Sequence, residues 1–293
     1  MNASISAPRP AAGIDQAGIS RDQGGRTPRG GLLIINADDW GRDQDTTDRI
    51  LDCVVRQTVS SVSAMVFMED SERAALIARE RGIDAGLHLN FTTEFSAPNV
   101  SRRLWENQQR IAAYLLRRRF NQIVFHPGLR RSFEYVMATQ RDEFVRLYGT
   151  QAERLDGHHH MHLCANVLLG GLLPRGTVVR RNFSFQRGEK SLANRLYRQA
   201  VDHRLARRHR IVDFLFSLPP FEPQSRLDRI SSLARQFVVE VETHPAHVAE
   251  FRFLTGSDVV RWAGDFPIAS CFAVPRHACT GQQTGARMFS DLS

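Results

Sequence analysis

Apolar residues in this chain gather in short runs of strand length, separated by polar and helical stretches of a size that can cross back over a sheet. Leu32, Leu33, Ile34 and Ile35 open the first run, bounded by Gly30-Gly31 and by Gly41. An Ile-rich run of this kind predicts a strand covered on both faces. Ile50, Leu51, Val54 and Val55 then recur at helical spacing, Val59 to Phe67 predicts a second strand, and Ala74 to Ile77 a second helix ending at Gly82. Ile83 to Leu89 and Glu153 to Asp156 predict two more strands. Further β-like runs cover Thr177 to Arg180, Ile211 to Phe214, Phe237 to Val241 and Ile268 to Val274. Seven or eight strand-helix units in succession predict one α/β domain, a distorted (β/α) barrel resembling a TIM barrel. A doubly wound open sheet is the alternative.

The segments that lack this period are as informative. Residues 1–30 mix Gly, Pro, Ala, Ser and Arg and predict a disordered tail, with a second tail over 276–293. Between them the barrel spans 31–275, interrupted at about 98–140 by an arginine-rich, largely helical insertion. A chain of 293 residues suits one such barrel. No run of about 18 uncharged apolar residues occurs, so no transmembrane segment is expected. Cys53, Cys164, Cys271 and Cys279 form no C-x-x-C pair, which points to reduced thiols and a cytoplasmic protein. The net charge of +8 comes mostly from arginine and leaves anionic substrates, nucleic acid and acidic membrane surfaces open as partners. Few aromatics interleave the arginines at 195, 198, 204, 207, 208 and 210, so nucleic acid is not expected and that segment reads as a solvated face. P-loop, G-x-G-x-x-G and G-x-S-x-G patterns are lacking, which removes nucleotide folds and serine hydrolases from consideration.

Asp38 and Asp39 fall at the carboxyl end of the first strand, and His88, His158 and His244 each sit at or just past a later one. In α/β barrels that end is where the loops converge. Two neutral imidazoles and one carboxylate make a three-ligand site for a divalent ion, zinc or magnesium, with the remaining carboxylate of the pair left as a base. A metal that acidifies water and polarises a carbonyl suits hydrolysis of an amide or ester. In Asp156-Gly157-His158-His159-His160-Met161-His162, an extended backbone places His158, His160 and His162 on one side and His159 on the other. His160 and His162 are candidates for supporting or substrate-binding roles, and Asp156 for orienting a ligand imidazole. Asn90, Arg180 and Asp213 are further candidates, the last two equally well explained by structural ion pairs.

With these motifs in order, the chain resembles the YdjC/ChbG-type carbohydrate deacetylase family, whose fold is similar to NodB-type polysaccharide deacetylases. The resemblance runs from about Leu32 to Trp262 and rests on Asn36-Ala37-Asp38-Asp39-Trp40-Gly41, Ser61-Val62-Ser63-Ala64-Met65, Gly86-Leu87-His88-Leu89-Asn90, the Asp156 to His162 segment and Glu242-Thr243-His244-Pro245. It implies that Asp39, His88 and His158 hold the metal, that Asp38 is the general base, and that His244 stabilises the oxyanion or protonates the leaving amine. The implied reaction removes acetyl from an N-acetylated amino sugar, oligosaccharide or glycoconjugate. Two departures stand out: Trp40 replaces the usual Phe, a change expected to reshape the substrate wall, and Ala246 replaces the usual Gly after His-Pro. His126-Pro127-Gly128 looks more like the expected motif but is out of order, which makes His126 a turn residue and the reserve acid.

Other readings remain open at this level. The same metal site would serve an ester or non-sugar amide on a phosphate-bearing or lipid-linked substrate, which the arginines suit. A non-enzymatic basic binder of nucleic acid or membrane, whose histidines merely collect metal, leaves the carboxylate pair unexplained. The physiological metal and the oligomeric state, a homodimer included, are not legible from the residues.

Overall fold

The computed structural model describes residues 30–185, 189–264 and 267–272. The tails expected over 1–30 and 276–293 lie outside these residues, Gly30 excepted, and so does Cys279. Seven strands form one sheet: β1 (Leu32–Trp40), β2 (Ser61–Ala64), β3 (Ala85–Leu89), β4 (Arg154–Gly157), β5 (Val178–Val179), β6 (Phe214–Ser217) and β7 (Val238–Thr243). Their order is β5-β4-β3-β2-β1-β7-β6, every neighbouring pair parallel. The sheet curls until its edges approach each other. Val178 bridges Arg210, just ahead of β6, and the Ser184 amide donates to the Leu215 carbonyl at 2.8 Å. The result is the distorted barrel that the strand-helix alternation predicts. Of the run Ile268 to Val274, the described residues contribute one parallel bridge, Ile268 to Leu33, and not an eighth strand of the sheet. Residues 273 and 274 lie outside the description.

Helices α1 (Gln44–Val55), α2 (Ser71–Arg81), α3 (Arg102–Arg117), α4 (Arg130–Tyr148), α5 (Ala165–Gly170), α6 (Leu192–Ala206), α7 (Gln224–Ala234), α8 (Val248–Thr255) and α9 (Ser257–Ala263) accompany the sheet. Between β3 and β4 the chain makes two long helices, α3 and α4, instead of one crossover. Asp43 and Ser101 cap α1 and α3 through their side-chain oxygens, and Gly82 closes α2 with a positive φ of 65°.

The strands sort their side chains with period two, and it is the polar set that faces inward. Leu33, Ile35, Ala37, Val62, Leu87, Leu89, Leu155, Val239 and Val241 belong to the large apolar core shared with the helices. Full burial of each larger side chain in that core stabilises by roughly 1.5–3 kcal/mol. The alternate positions Asn36, Asp38, Ser61, Ser63, His88, Arg154, Asp156, Glu240 and Glu242 are also buried, but they bond to one another across the barrel interior. Ile34, Val212 and Val238 form a separate small apolar floor beneath them.

This interior explains Gly86. Arg154 crosses the barrel beneath it, donating from Nη2 to the Val62 carbonyl at 2.7 Å and from Nη1 to Asp84 at 3.2 Å. A Cβ on residue 86 would lie 2.7 Å from Arg154 Nε, and the bonded guanidinium has nowhere to retreat. Gly86→Ala is therefore expected to lower unfolding stability by about 1–3 kcal/mol, the usual cost of overpacking, measured by urea denaturation. In a double-mutant cycle with Arg154→Ala the two losses should be less than additive; strict additivity would show that Gly86 is not required by this guanidinium.

Candidate active site

Asp38 and Asp39 are adjacent in a strand, so a regular pleat would turn their carboxylates to opposite faces. The chain avoids this by taking Asp39 to φ 70°, with a register shift in the β1–β2 pairing between Ala37 and Trp40. A left-handed conformation at a non-glycine costs on the order of 1 kcal/mol. In return both carboxylates face one centre. Asp39 Oδ1 lies 3.0 Å from His158 Nδ1 and 3.4 Å from His88 Nε2, and its Oδ2 accepts from Arg42 Nη1 at 3.2 Å. Asp39, His88 and His158 are all buried, and each offers a ligand atom within 4.8 Å of the others.

His88 shows what this centre is built for. Its Nδ1 is 2.8 Å from Asp156 Oδ1, while its Nε2 is buried, without a hydrogen-bond partner, and directed at Asp39. Burial lowers the pKa of this imidazole, but the charges of Asp38 and Asp156, the hydrogen bond to Asp156 and the nearby Asp39 carboxylate override it and raise it to about 10. Asp39 behaves in the opposite sense. Burial raises it, yet the hydrogen bonds and charges of His158 and His88 hold it well below the usual carboxylate range. So much negative charge around an otherwise unpaired ring nitrogen attracts a proton or a cation. One carboxylate and two imidazoles form a donor set suited to a divalent ion, and Asp156 fixes the His88 ring so that Nε2 faces it.

Asp38 stands beside this centre, 3.9 Å from His88 Nδ1 through its Oδ2. Both its oxygens are gripped by Arg180, at 2.6 Å from Nη1 and 2.7 Å from Nη2, and Asn36 Nδ2 donates at 2.8 Å. Arg180 also reaches Asp156 at 3.0 Å, Glu240 at 2.7 Å and Glu242 at 3.1 Å. It is fully committed to these four carboxylates and so is not a substrate-binding residue. His244 Nε2 lies 4.0 Å from Asp38 Oδ2 and 3.9 Å from Glu242 Oε1, on the solvent side of the cluster.

The histidine run is not extended. His159 and His160 take φ 54° and 57° within a tight turn over His158–Leu163, which sends successive rings in different directions. His158 turns to Asp39, His159 to the Thr92 hydroxyl at 3.0 Å, and His160 to Glu242 Oε2 at 3.1 Å. His162 is buried away from the centre with its Nε2 against the Arg180 carbonyl at 2.9 Å, and burial lowers its pKa to about 3. It is a neutral structural residue, not a substrate contact.

Other expected contacts fall elsewhere. Asn90 closes its own loop, accepting from the Thr92 and Thr93 amides and donating to the Thr93 carbonyl at 2.6 Å, so its side chain has no capacity left for substrate. Asp213 precedes β6 at the amino end of the barrel, opposite the site, and accepts from the Val238 amide at 2.9 Å. Trp40 is completely buried in the core and forms no substrate wall. His126 is exposed on the segment joining α3 to α4, tied to Asn166 through its backbone and edge-on to Tyr114. Conversely, Glu240, Glu242, Ser63 and Arg154 belong to the network and were missed by sequence reasoning. For Ser63, Glu240 and Glu242 the signal is the alternation in Ser61-Val62-Ser63-Ala64 and Val239-Glu240-Val241-Glu242, where every second residue is polar.

Fold and site together define a parallel (β/α) barrel whose strand ends assemble a cluster of one carboxylate and two histidines that could hold a metal ion, beside an arginine-clamped aspartate. The chain belongs to the YdjC-like family, whose model matches residues 32–265. It is 26% identical over 182 residues to a chitooligosaccharide deacetylase of Escherichia fergusonii, covering 58% of this chain and 61% of that protein. It is 28% identical over 144 residues to one of Proteus mirabilis, covering 45% and 50%, and 27% identical over 140 residues to a carbohydrate deacetylase of Mus musculus, covering 46% and 44%. The chain thus spans about half the length of these curated relatives. A solved structure from Enterococcus faecalis V583, of a protein named for cellobiose-phosphate cleavage, superposes with a TM-score of 0.58 at 19% identity, covering 82% of this chain and 97% of that one. That likeness is one of fold.

The buried interior makes stability depend on pH in a way that one residue controls. Burial raises Glu240 to about 7 against the pull of Arg180, and its Oε2 is without a partner. Its folded value lies above its unfolded one, near 4.5. Its contribution is therefore complete below pH 4.5 and is lost as pH rises to about 7. Glu240→Gln should flatten the stability profile across that window by up to about 3 kcal/mol, read from urea midpoints at a series of pH values. Parallel profiles for the two proteins would mean that Glu240 is ionised throughout.

Proposed function

We propose that this protein is a metal-dependent hydrolase that removes the acetyl group from the nitrogen of an N-acetylated amino sugar, oligosaccharide or glycoconjugate, releasing acetate and a free amine. The observation that carries the reading is the convergence of Asp39, His88 and His158 within 4.8 Å with Asp38 alongside. The names of the relatives point to the same substrate class.

In this reading Asp39, His88 and His158 hold the divalent ion. When bound, such an ion polarises the amide carbonyl and acidifies water. Asp38 takes the proton of the attacking water. Arg180 and Asn36 fix its orientation and fill both acceptor positions of Oδ1, leaving one lone pair on Oδ2 for the proton. As the water oxygen bonds to the carbonyl carbon and the carbon–nitrogen bond breaks, the departing nitrogen needs a proton. His244 Nε2, 4.0 Å from Asp38 Oδ2 on the open side of the site, supplies it. Glu242 faces His244 and His160; burial raises its pKa, but His160, Arg180 and His244 hold it below the usual carboxylate range.

A phosphate-bearing substrate gains no support from Arg180, because its guanidinium is spent on carboxylates. The test is acetate release from a panel of N-acetylated amino sugars and their oligomers. Asp39→Ala and His158→Ala should lose both bound metal and activity, whereas Asp38→Asn should retain metal and lose kcat by about 10²–10⁴-fold. Full turnover by Asp38→Asn would remove it as the base.

A further inference from the structure

Three neighbouring elements on one side of the molecule expose large apolar side chains that no packing explains. At the end of α3 and the turn after it, Phe120 and Ile123 are 65% and 47% exposed; on α5 Leu169 is 57% exposed; on α6 Leu192 and Leu196 are 68% and 56% exposed. Hydrogen bonds join the three elements that carry them to one another. The α3–α4 connection is tied to α5 by Asn166 Nδ2 donating to the His126 carbonyl at 2.9 Å, and α6 is tied to α5 by Arg204 Nη2 donating to the Leu168 carbonyl at 3.1 Å.

The same face is basic. No acidic residue intervenes between Glu106 and Glu134, a stretch that exposes Arg117, Arg118 and Arg119. Between Glu189 and Asp213 the only acid is Asp202, which is buried against Arg181 at 2.8 Å, while Arg204, Arg207 and Arg208 are exposed. On α6, Leu192 and Leu196 stand four residues apart and Arg207 follows on the same stripe, so the outward surface is apolar at one end and cationic at the other.

We infer that this face docks the protein on the surface of an anionic lipid bilayer. Exposed leucine and phenylalanine amid arginines, without facing carboxylates, match an interface where acyl chains meet anionic headgroups. A second copy of this chain is disfavoured, because a symmetric contact would set arginines against arginines. Stacking nucleic acid is disfavoured as well, because the exposed residues are mainly aliphatic. No helix among the described residues is long and apolar enough to cross a membrane, so the attachment is peripheral. The inference is independent of the deacetylase reading, since none of these residues lies in the barrel interior.

The test is co-sedimentation of the full chain with vesicles of phosphatidylcholine alone and of phosphatidylcholine containing about 30% phosphatidylglycerol. The expected result is binding to the anionic vesicles alone, released as salt rises from about 50 to 500 mM. Leu192→Ser with Leu196→Ser, and separately Arg207→Gln with Arg208→Gln, should each weaken binding at least tenfold, with an unchanged circular dichroism spectrum. Three outcomes would overturn the inference: no preference for anionic vesicles, undiminished binding by either double variant, or a dimer abolished by the leucine pair in a protein that ignores vesicles. Retention of duplex RNA without vesicle binding would likewise assign the face to nucleic acid.

Discussion

The structure depends on one cation buried among four anions. Arg180 lies at the centre of the barrel with Asp38, Asp156, Glu240 and Glu242 around it, all removed from solvent. Each carboxylate alone would be costly to bury, and the arginine alone more so. Together they neutralise much of one another's charge, and the fork geometry of the guanidinium sets where each oxygen sits. The interior still carries an excess of negative charge. That excess keeps His88 basic and makes the open side of the cluster attractive to a divalent ion, while burial raises Glu240 to about 7.

A second constraint is local strain placed where the chemistry is. Asp39, His159 and His160 adopt left-handed backbone conformations, and all three lie at strand ends around the same centre. The strain persists because the barrel beneath is rigid. β1 is hydrogen-bonded to neighbours on both sides and packed against the apolar core, so the end of the strand can be bent without loosening its base. Elsewhere among the described residues positive φ falls mostly on glycines at helix ends and turns, where it carries little cost.

The two faces of the sheet therefore perform different tasks. The outer face and the helices supply the hydrophobic stabilisation, and the inner face forgoes it to hold polar groups in fixed positions. Outside the barrel lie the α3–α4 excursion and the basic, leucine-bearing surface of α5 and α6.

Much was determined by the sequence alone. Strand-helix alternation fixed the class of fold, because periodicity is a local property that burial imposes directly, and motif spacing singled out Asp38, Asp39, His88, His158, Asp156 and His244. Tertiary structure decided the rest. Only the barrel's closure revealed that Arg180 serves four carboxylates and no ligand, that Glu240 and Glu242 are interior, and that His162 and Asn90 are structural. Only the φ of Asp39 brought two consecutive carboxylates to one side, and only the turn at His159 and His160 dispersed a run that alternation would have aligned. The physical reason is the same in each case: a side chain's partners are set by groups distant in the chain, and residue type and spacing do not carry that information.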